Sequence, residues 1–475
     1  MSRRWASATA LVAALLVLAP ASAFAFEPGE YDWKWFGEVR FRPEFNDNMS
    51  GNTSRSVKDE EWRIAYASYR INFGFQVDLP RDVTVVVNSQ YLGTWGDKLP
   101  VKGGPTTGTS DPYDYFYAKN GFYGSSSGDD FQLFEAYIEA KQIFGTGFNL
   151  RAGRQKLAFS DEWFLGDLDF YGGTSWDGLR GDFENTFGEF SVFWGKARET
   201  DAPEFVEAQF LGPGDAQDDA DLYGAWAVID LETRGKIDVA VMSWEDHTVT
   251  EEFRRFHYQD KRWTVLAGYH LEQDLGLQIG VNAAIQDGRT INWDRTETVG
   301  ISAEAAEATV GWRWDRRGNP ALVSLRGAYY SGDDPETAPN ESFSAPFQDF
   351  HARYGYVDFW NGFFLSDGTD NRVYIGGQGG FWSLALHFDA QVKPGLSVFG
   401  TGLMAERAED TNPNFSNKKL GDEFGFGARY TYSENVELEL ALAQLYPSFG
   451  MNAELLPGEE AQNVKRIYLN TRVRF

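Results

Sequence analysis

Apolar and polar residues alternate with a period of two along most of this chain. In the clearest run, Ala65, Ala67, Tyr69, Ile71, Phe73, Phe75, Val77 and Leu79 share one face, and Tyr66, Ser68, Arg70, Asn72, Gly74, Gln76 and Asp78 share the other. That pattern predicts a strand with unlike surroundings on its two sides. It is longer than a typical globular strand and long enough to cross a bilayer at a tilt. The same alternation predicts strands over 35–42, 83–91, 134–141, 148–154, 176–184, 189–196, 222–230, 237–244, 262–272, 277–286, 306–314, 321–330, 381–393, 396–404, 424–432 and 436–445. A last strand spans 466–475, where Ile467, Leu469, Thr471, Val473 and Phe475 oppose Arg466, Tyr468, Asn470, Arg472 and Arg474. The total is about 18 strands.

The connections are unequal. Leu79-Pro80-Arg81-Asp82, Asn185–Gly188, Pro394-Gly395 and Ser433-Glu434-Asn435 are tight, whereas Gly93–Asp130 and Ser331–Asn371 are long and aperiodic. Short turns on one rim and long loops on the other are the layout of an outer-membrane barrel. The fold expected is all-β: a transmembrane antiparallel up-and-down β-barrel with short periplasmic turns and long extracellular loops. Its last strand must close against its first to leave no edge. Leu469, Val473 and Phe475 are the expected closure and assembly signal, docking on the barrel-assembly machinery. A soluble propeller or solenoid fits less well, because no motif repeats at a period of 20–50 residues.

Residues 1–25 are expected to be a signal peptide. Arg3 and Arg4 precede an apolar run from Ala6 to Leu18, and Ala23-Phe24-Ala25 forms a small-x-small cleavage site. The barrel would then occupy 26–475, in the bacterial outer membrane. Composition agrees: 50 Gly, 16 Trp, 22 Tyr and 38 Phe accompany a mean hydropathy of −0.43. Many aromatics in a chain polar on average suit a lipid-facing band, aromatic girdles and a wet interior. Trp312, Trp314, Tyr430 and Tyr432 are candidate girdle residues.

The formal charge of −27 argues against nucleic-acid binding. The chain has no cysteine, which removes thiol chemistry and disulfides. Its five histidines are not at metal-ligand spacing. Asp215, Asp218, Asp219 and Asp221 form an acidic loop without the glycine and terminal Glu of an EF-hand. Neither a cofactor, a metal nor an enzymatic activity is expected.

From Gly153 the chain carries a series of motifs: Gly153-Arg154-Gln155, Asp161-Glu162, Leu165-Gly166-Asp167-Leu168-Asp169 and Trp176-Asp177-Gly178-Leu179-Arg180, followed by Tyr329–Asp334 and Tyr354-Gly355-Tyr356. In these the chain resembles the alginate-export family of outer-membrane porins. The resemblance implies a monomeric barrel conducting solutes, in the founding case an anionic polyuronate, through a lumen lined by arginines and some carboxylates. It singles out Gln155, Asp161, Asp169, Asp177 and Gly178 as the family's motif loop, and implicates Arg154.

Alternation itself places Arg40, Arg42, Arg70, Arg151, Arg180, Arg326, Arg429, Arg472 and Arg474 on lumenal faces, because a lipid-facing charge at mid-depth costs about 2–4 kcal/mol. Arg154 lies off that phase. Glu135, Glu139 and Asp182 also point inward, with Glu38, Glu184, Asp389, Glu437 and Glu439. Guanidinium groups bind carboxylates in a forked geometry. The expected partners are therefore anionic oligo- or polysaccharides or small anions, besides outer-membrane lipid and lipopolysaccharide. Alternatively the carboxylates neutralise the arginines and simply hold the wall. The long loops could also fold inward, making a plugged structural or adhesive barrel whose loops bind a partner.

Overall fold

The computed structural model describes residues 31–47, 63–96, 130–198 apart from 168 and 171, 220–246, 260–291, 298–358 apart from 335, 346, 347 and 350, 379–409, 418–448 and 463–475. The expected signal peptide, Asp215, Asp218, Asp219 and the bulk of the Gly93–Asp130 loop lie outside them.

Eighteen strands form the wall. In chain order they are β1 (Asp32–Asp47), β2 (Arg63–Leu79), β3 (Val83–Gly96), β4 (Asp130–Ala140), β5 (Phe148–Gln155), β6 (Trp176–Asn185), β7 (Gly188–Arg198), β8 (Ala220–Asp230) and β9 (Lys236–Asp246). The second half comprises β10 (Asp260–Glu272), β11 (Gly276–Ile291), β12 (Thr298–Asp315), β13 (Pro320–Tyr330), β14 (Phe381–Lys393), β15 (Leu396–Glu406), β16 (Lys419–Ser433), β17 (Val436–Pro447) and β18 (Val464–Arg474). Each pairs antiparallel with its sequence neighbours, and β1 pairs with β18, so the sheet closes on itself. Every expected strand is present.

Closure is local and specific. Val39 faces Val473 and Arg40 faces Arg472 across the seam. Backbone bonds join Gly37 N–H to Phe475 O at 2.9 Å and Phe475 N–H to Gly37 O at 3.1 Å. Leu469 and Phe475 expose their side chains on the outer wall.

The two faces separate as the alternation requires. On β2, Tyr66, Ser68, Arg70 and Asn72 are buried inside, while Ile71 and Phe73 stand outside where lipid would lie. Aromatic residues collect at both rims. Trp35 stacks on Phe73 near the short-turn rim, and Trp95 packs on Phe41 and Tyr69 near the other. Trp312, Trp314, Tyr430 and Tyr432 are outward-facing and exposed.

Three expectations need correction. Phe134, which strict alternation with Ala136, Ile138 and Ala140 would put on the lipid face, turns inward: a bulge opposite Asn88 and Ser89 leaves it the extra residue, and its ring lies under the Arg70 guanidinium. Asp221 belongs to β8 rather than to an acidic loop. The interior is not uniformly wet. The described parts of 156–175 and 331–358 pack against the inner wall and bury an apolar cluster including Leu157, Phe159, Trp163, Phe164, Leu165 and Phe343. Phe159 stacks on Phe193 and Trp226 of the wall, each at 5.0 Å between ring centroids.

Candidate functional site: a charged lumen clamped by two inward segments

The inward segments meet the wall through ions as well as apolar rings. Asp169, from segment 156–175, is the centre of the first cluster. Arg70 Nη1 donates to its Oδ1 at 2.6 Å, and Arg40 Nη2 and Arg472 Nη2 donate to its Oδ2, each at 2.8 Å. Arg40 and Arg70 also bond the Asp169 backbone carbonyl. These arginines come from β1, β2 and β18, so one carboxylate ties a loop across the barrel seam. Burial alone would raise the Asp169 carboxyl, but the three guanidiniums hold it well below the usual carboxylate range. Glu38 bonds Arg40 at 2.7 Å and lies 3.4 Å from Arg472 and 3.3 Å from Arg474.

A second cluster surrounds Phe170. Its ring stacks on His351 of the other inward segment at 3.3 Å and lies 3.9 Å from the Arg42 guanidinium carbon. Arg466, wholly buried, donates to Glu44 at 2.9 Å and to Asp358 at 2.5 Å. His351 Nδ1 lies 2.7 Å from Asp358, and Tyr468 donates to Glu439 at 3.0 Å. Glu423 on β16 accepts the backbone N–H groups of Tyr356 and Val357. Isolated charges at such depth would be expensive; pairing makes the arrangement tenable.

The third cluster joins the two segments directly. Arg353 bonds Glu307 of β12 at 2.7 Å and lies 3.4 Å from Asp161. Glu162, Asp167 and Asp349 place carboxylate oxygens within 4.8 Å of one another, close enough to share a proton or a cation. Lys156 bonds Asp167 at 2.9 Å. Burial, reinforced by the Asp167 charge, pushes the Glu162 carboxyl up to about 7, and burial raises Asp349 too.

The remaining sequence candidates are spread around the wall. Arg151 bonds Glu139 at 2.8 Å, and Arg180 bonds Asp182 at 2.7 Å and Glu189 at 2.9 Å. Arg429 bonds Glu439 at 2.7 Å, Arg326 donates to Thr309 and to the Arg353 carbonyl, and Glu135 accepts from Asn88. Gln155 is buried beside Gly153 and Gly178.

Arg154 departs from its lumenal assignment. It pairs with Asp177 on the outer face near the loop rim, its Nε 2.7 Å from Oδ1, and donates to the Leu133 carbonyl. No extra residue separates it from Ala152, so alternation sends it outward. Asp177 follows it there.

The lumenal arginines therefore face carboxylates at nearly every position where they were expected to face a solute. Glu44, Glu307, Arg353, His351, Asp358, Arg466 and Tyr468 complete the site and were not among the sequence candidates. Arg466 and Tyr468 carry a usable signal, the polar phase of β18. Arg353, His351 and Asp358 sit in an aperiodic stretch and carry none.

A closed 18-stranded barrel with an apolar outer wall and a charged lumen is an outer-membrane barrel of porin type. Residues 123–361 match the alginate export family, half of the chain, and the protein belongs to that family; its place is the bacterial outer membrane. Among solved structures, it is similar to OccK9 (OpdG) of Pseudomonas aeruginosa, with a TM-score of 0.53, 13% identity, and 94% of this chain and 99% of that one covered. OccAB4 of Acinetobacter baumannii gives a TM-score of 0.53 at 11% identity over 94% and 100% of the two chains. A BenF-like porin from Pseudomonas fluorescens Pf-5 gives 0.51 at 10% over 94% and 99%. At these identities the likeness is one of fold. No curated protein matches the sequence.

Proposed function

We propose that the barrel is a passive channel for anionic oligo- or polysaccharides of uronate type, or for smaller carboxylate-bearing solutes. One observation carries this reading. Arg40, Arg70 and Arg472 converge on a single carboxylate, that of Asp169, whose side chain remains 32% exposed. Guanidiniums so arranged can accept a solute carboxylate in the same way, and a lumen offering several such contacts of moderate strength lets a polyanion advance from one to the next. The neighbouring carboxylates prevent a trap from forming, since an unopposed arginine cluster would hold the solute too tightly to release it.

A second reading has its own support. The apolar cluster between the inward segments and the wall favours a plugged barrel whose loops bind a partner outside.

Reconstitution into planar bilayers separates the two. Stable channels with anion preference that oligouronates block support the first reading. Channels indifferent to uronates overturn the solute class. A folded, inserted and silent protein supports the plug.

A further inference from the structure

The outer wall carries an ionic arc that plays no part in the lumen. In one continuous register row at the loop rim, β5 to β11 each present a charged residue: Arg154 faces Asp177, which faces Lys196, then Asp221, Glu245, Lys261 and Arg289. All seven side chains lie on the outward phase of their strands. One step nearer the barrel middle the same row carries Leu179, Trp194, Tyr223 and Trp263, all exposed, with Ser243 between the last two and Asp287 beyond them as its one charge. Trp194 donates from its indole nitrogen to Asp221 at 3.0 Å. The arc therefore lies just above the aromatic girdle, at the level of lipid headgroups.

Its charge order is unusual. Opposite charges face each other at Arg154–Asp177, Asp177–Lys196, Lys196–Asp221 and Glu245–Lys261, and salt bridges form at the first and last of these. Two neighbouring pairs break the rule. Asp221 is directly opposite Glu245, and Lys261 is directly opposite Arg289. Like charges at directly opposed positions destabilise a sheet. The Lys261 side chain is about half exposed while its ammonium pairs with Glu245, so a headgroup can reach it from outside. An anion seated between Lys261 and Arg289 would remove one repulsion, and a divalent cation between Asp221 and Glu245 would remove the other.

We propose that this arc is a docking surface for a phosphorylated glycolipid of the outer leaflet. A glycolipid phosphate would sit on the Lys261–Arg289 pair, and the divalent counter-ions that such headgroups gather would bridge to Asp221 and Glu245. The long-connection rim faces the outer leaflet because the eight short turns occupy the opposite, periplasmic rim. Phosphate chemistry fits better than sugar alone, since a neutral saccharide would relieve neither like-charge pair. The proposal is independent of what the lumen carries.

The test uses the full barrel in detergent, with bisphosphorylated lipid A as probe and native mass spectrometry as readout. In the variant Lys261→Gln with Arg289→Gln, binding should fall on the order of thirtyfold, each lost surface cation contributing about fivefold. Lys465→Gln, a charge change on the outer wall of β18, should leave binding unchanged, and an unaltered heat-modifiable gel shift shows that each variant is folded. Dephosphorylated lipid A should bind the parent protein as weakly as bisphosphorylated lipid A binds the double variant, and chelating magnesium should weaken binding to the parent. Equal lipid A binding by parent and double variant would overturn the proposal. So would equal binding of the dephosphorylated lipid, or equally strong competition by phosphatidylglycerol, which would make the arc a general anionic-lipid contact.

Discussion

Arg472 donates to the carboxylate of Asp169 at 2.8 Å, although 303 residues of chain separate them. The bond joins the closing strand to the first inward segment, and Arg40 and Arg70 reach the same carboxylate from the opening strands. Asp169 therefore fixes the loop and masks three positive charges at once.

Replacing Asp169 with Asn separates those roles. The variant keeps the side-chain size and removes the charge, so the three guanidiniums become available to mobile anions. In a salt gradient the reversal potential should move toward that of the anion, and oligouronate block should strengthen. Loss of the ion pairs should lower stability by roughly 2 kcal/mol, well under the 3–5 kcal/mol of a fully buried pair, because Asp169 is about one-third exposed. An unchanged reversal potential in a folded variant would show that this cluster does not set selectivity.

The carboxylate trio predicts a pH dependence of definite sign. Glu162 is pushed from 4.5 up to about 7, so the folded protein holds that proton more tightly than the unfolded chain does. Its contribution to stability is fully present below about pH 4.5 and is lost as pH rises through 7. Contact between the inward segments should loosen over that window, seen as increasing channel noise or protease access to 156–175. Glu162→Gln, which stays uncharged, should flatten the dependence. A pH profile that survives in this variant would assign it elsewhere.

Arg466 should be among the least replaceable residues. Arg466→Met would leave Glu44 and Asp358 buried without their main counter-charge, a loss of about 3–5 kcal/mol. The urea midpoint of the heat-modifiable band reads this directly. Adding Glu44→Gln should recover part of the loss, and a midpoint unchanged by the single substitution would contradict the buried network.

Gly178 answers to space rather than charge. A Cβ there would lie 2.0 Å from the Trp194 carbonyl oxygen, whereas one at Gly195 would meet only side-chain atoms, at 3.1 Å and beyond. Gly178→Ala should force β6 and β7 apart and lower stability by about 1–3 kcal/mol. Gly195→Ala should do less. Comparable folding yields for the two variants would refute the steric account.

The wall was legible in the sequence because each strand has lipid on one side and charge on the other, which imprints a period of two. Where that simple condition fails, so does the reading. Phe134 was misplaced because a bulge shifts the phase by one residue. Of the inward segments, 331–358 falls in a long aperiodic stretch and 156–175 is marked only by the family motifs, since a loop packed in a lumen has no fixed period. The pairing of Arg40, Arg70 and Arg472 with Asp169 was hidden because nothing local links strands at both ends of the chain to a loop between. Arg154 shows the converse: alternation sent it outward, family resemblance inward, and alternation was right.

The seam between β1 and β18 has a consequence for where solutes can go. It is stitched by backbone bonds from Gly37 to Phe475 and by the buried Arg466–Glu44 pair, with Arg40, Arg472 and Glu38 alongside. Parting it would expose these charges to hydrocarbon, at several kcal/mol for each. This seam is therefore no side door. If the barrel conducts as proposed, cargo passes along its axis, through water, rather than between β1 and β18 into the bilayer.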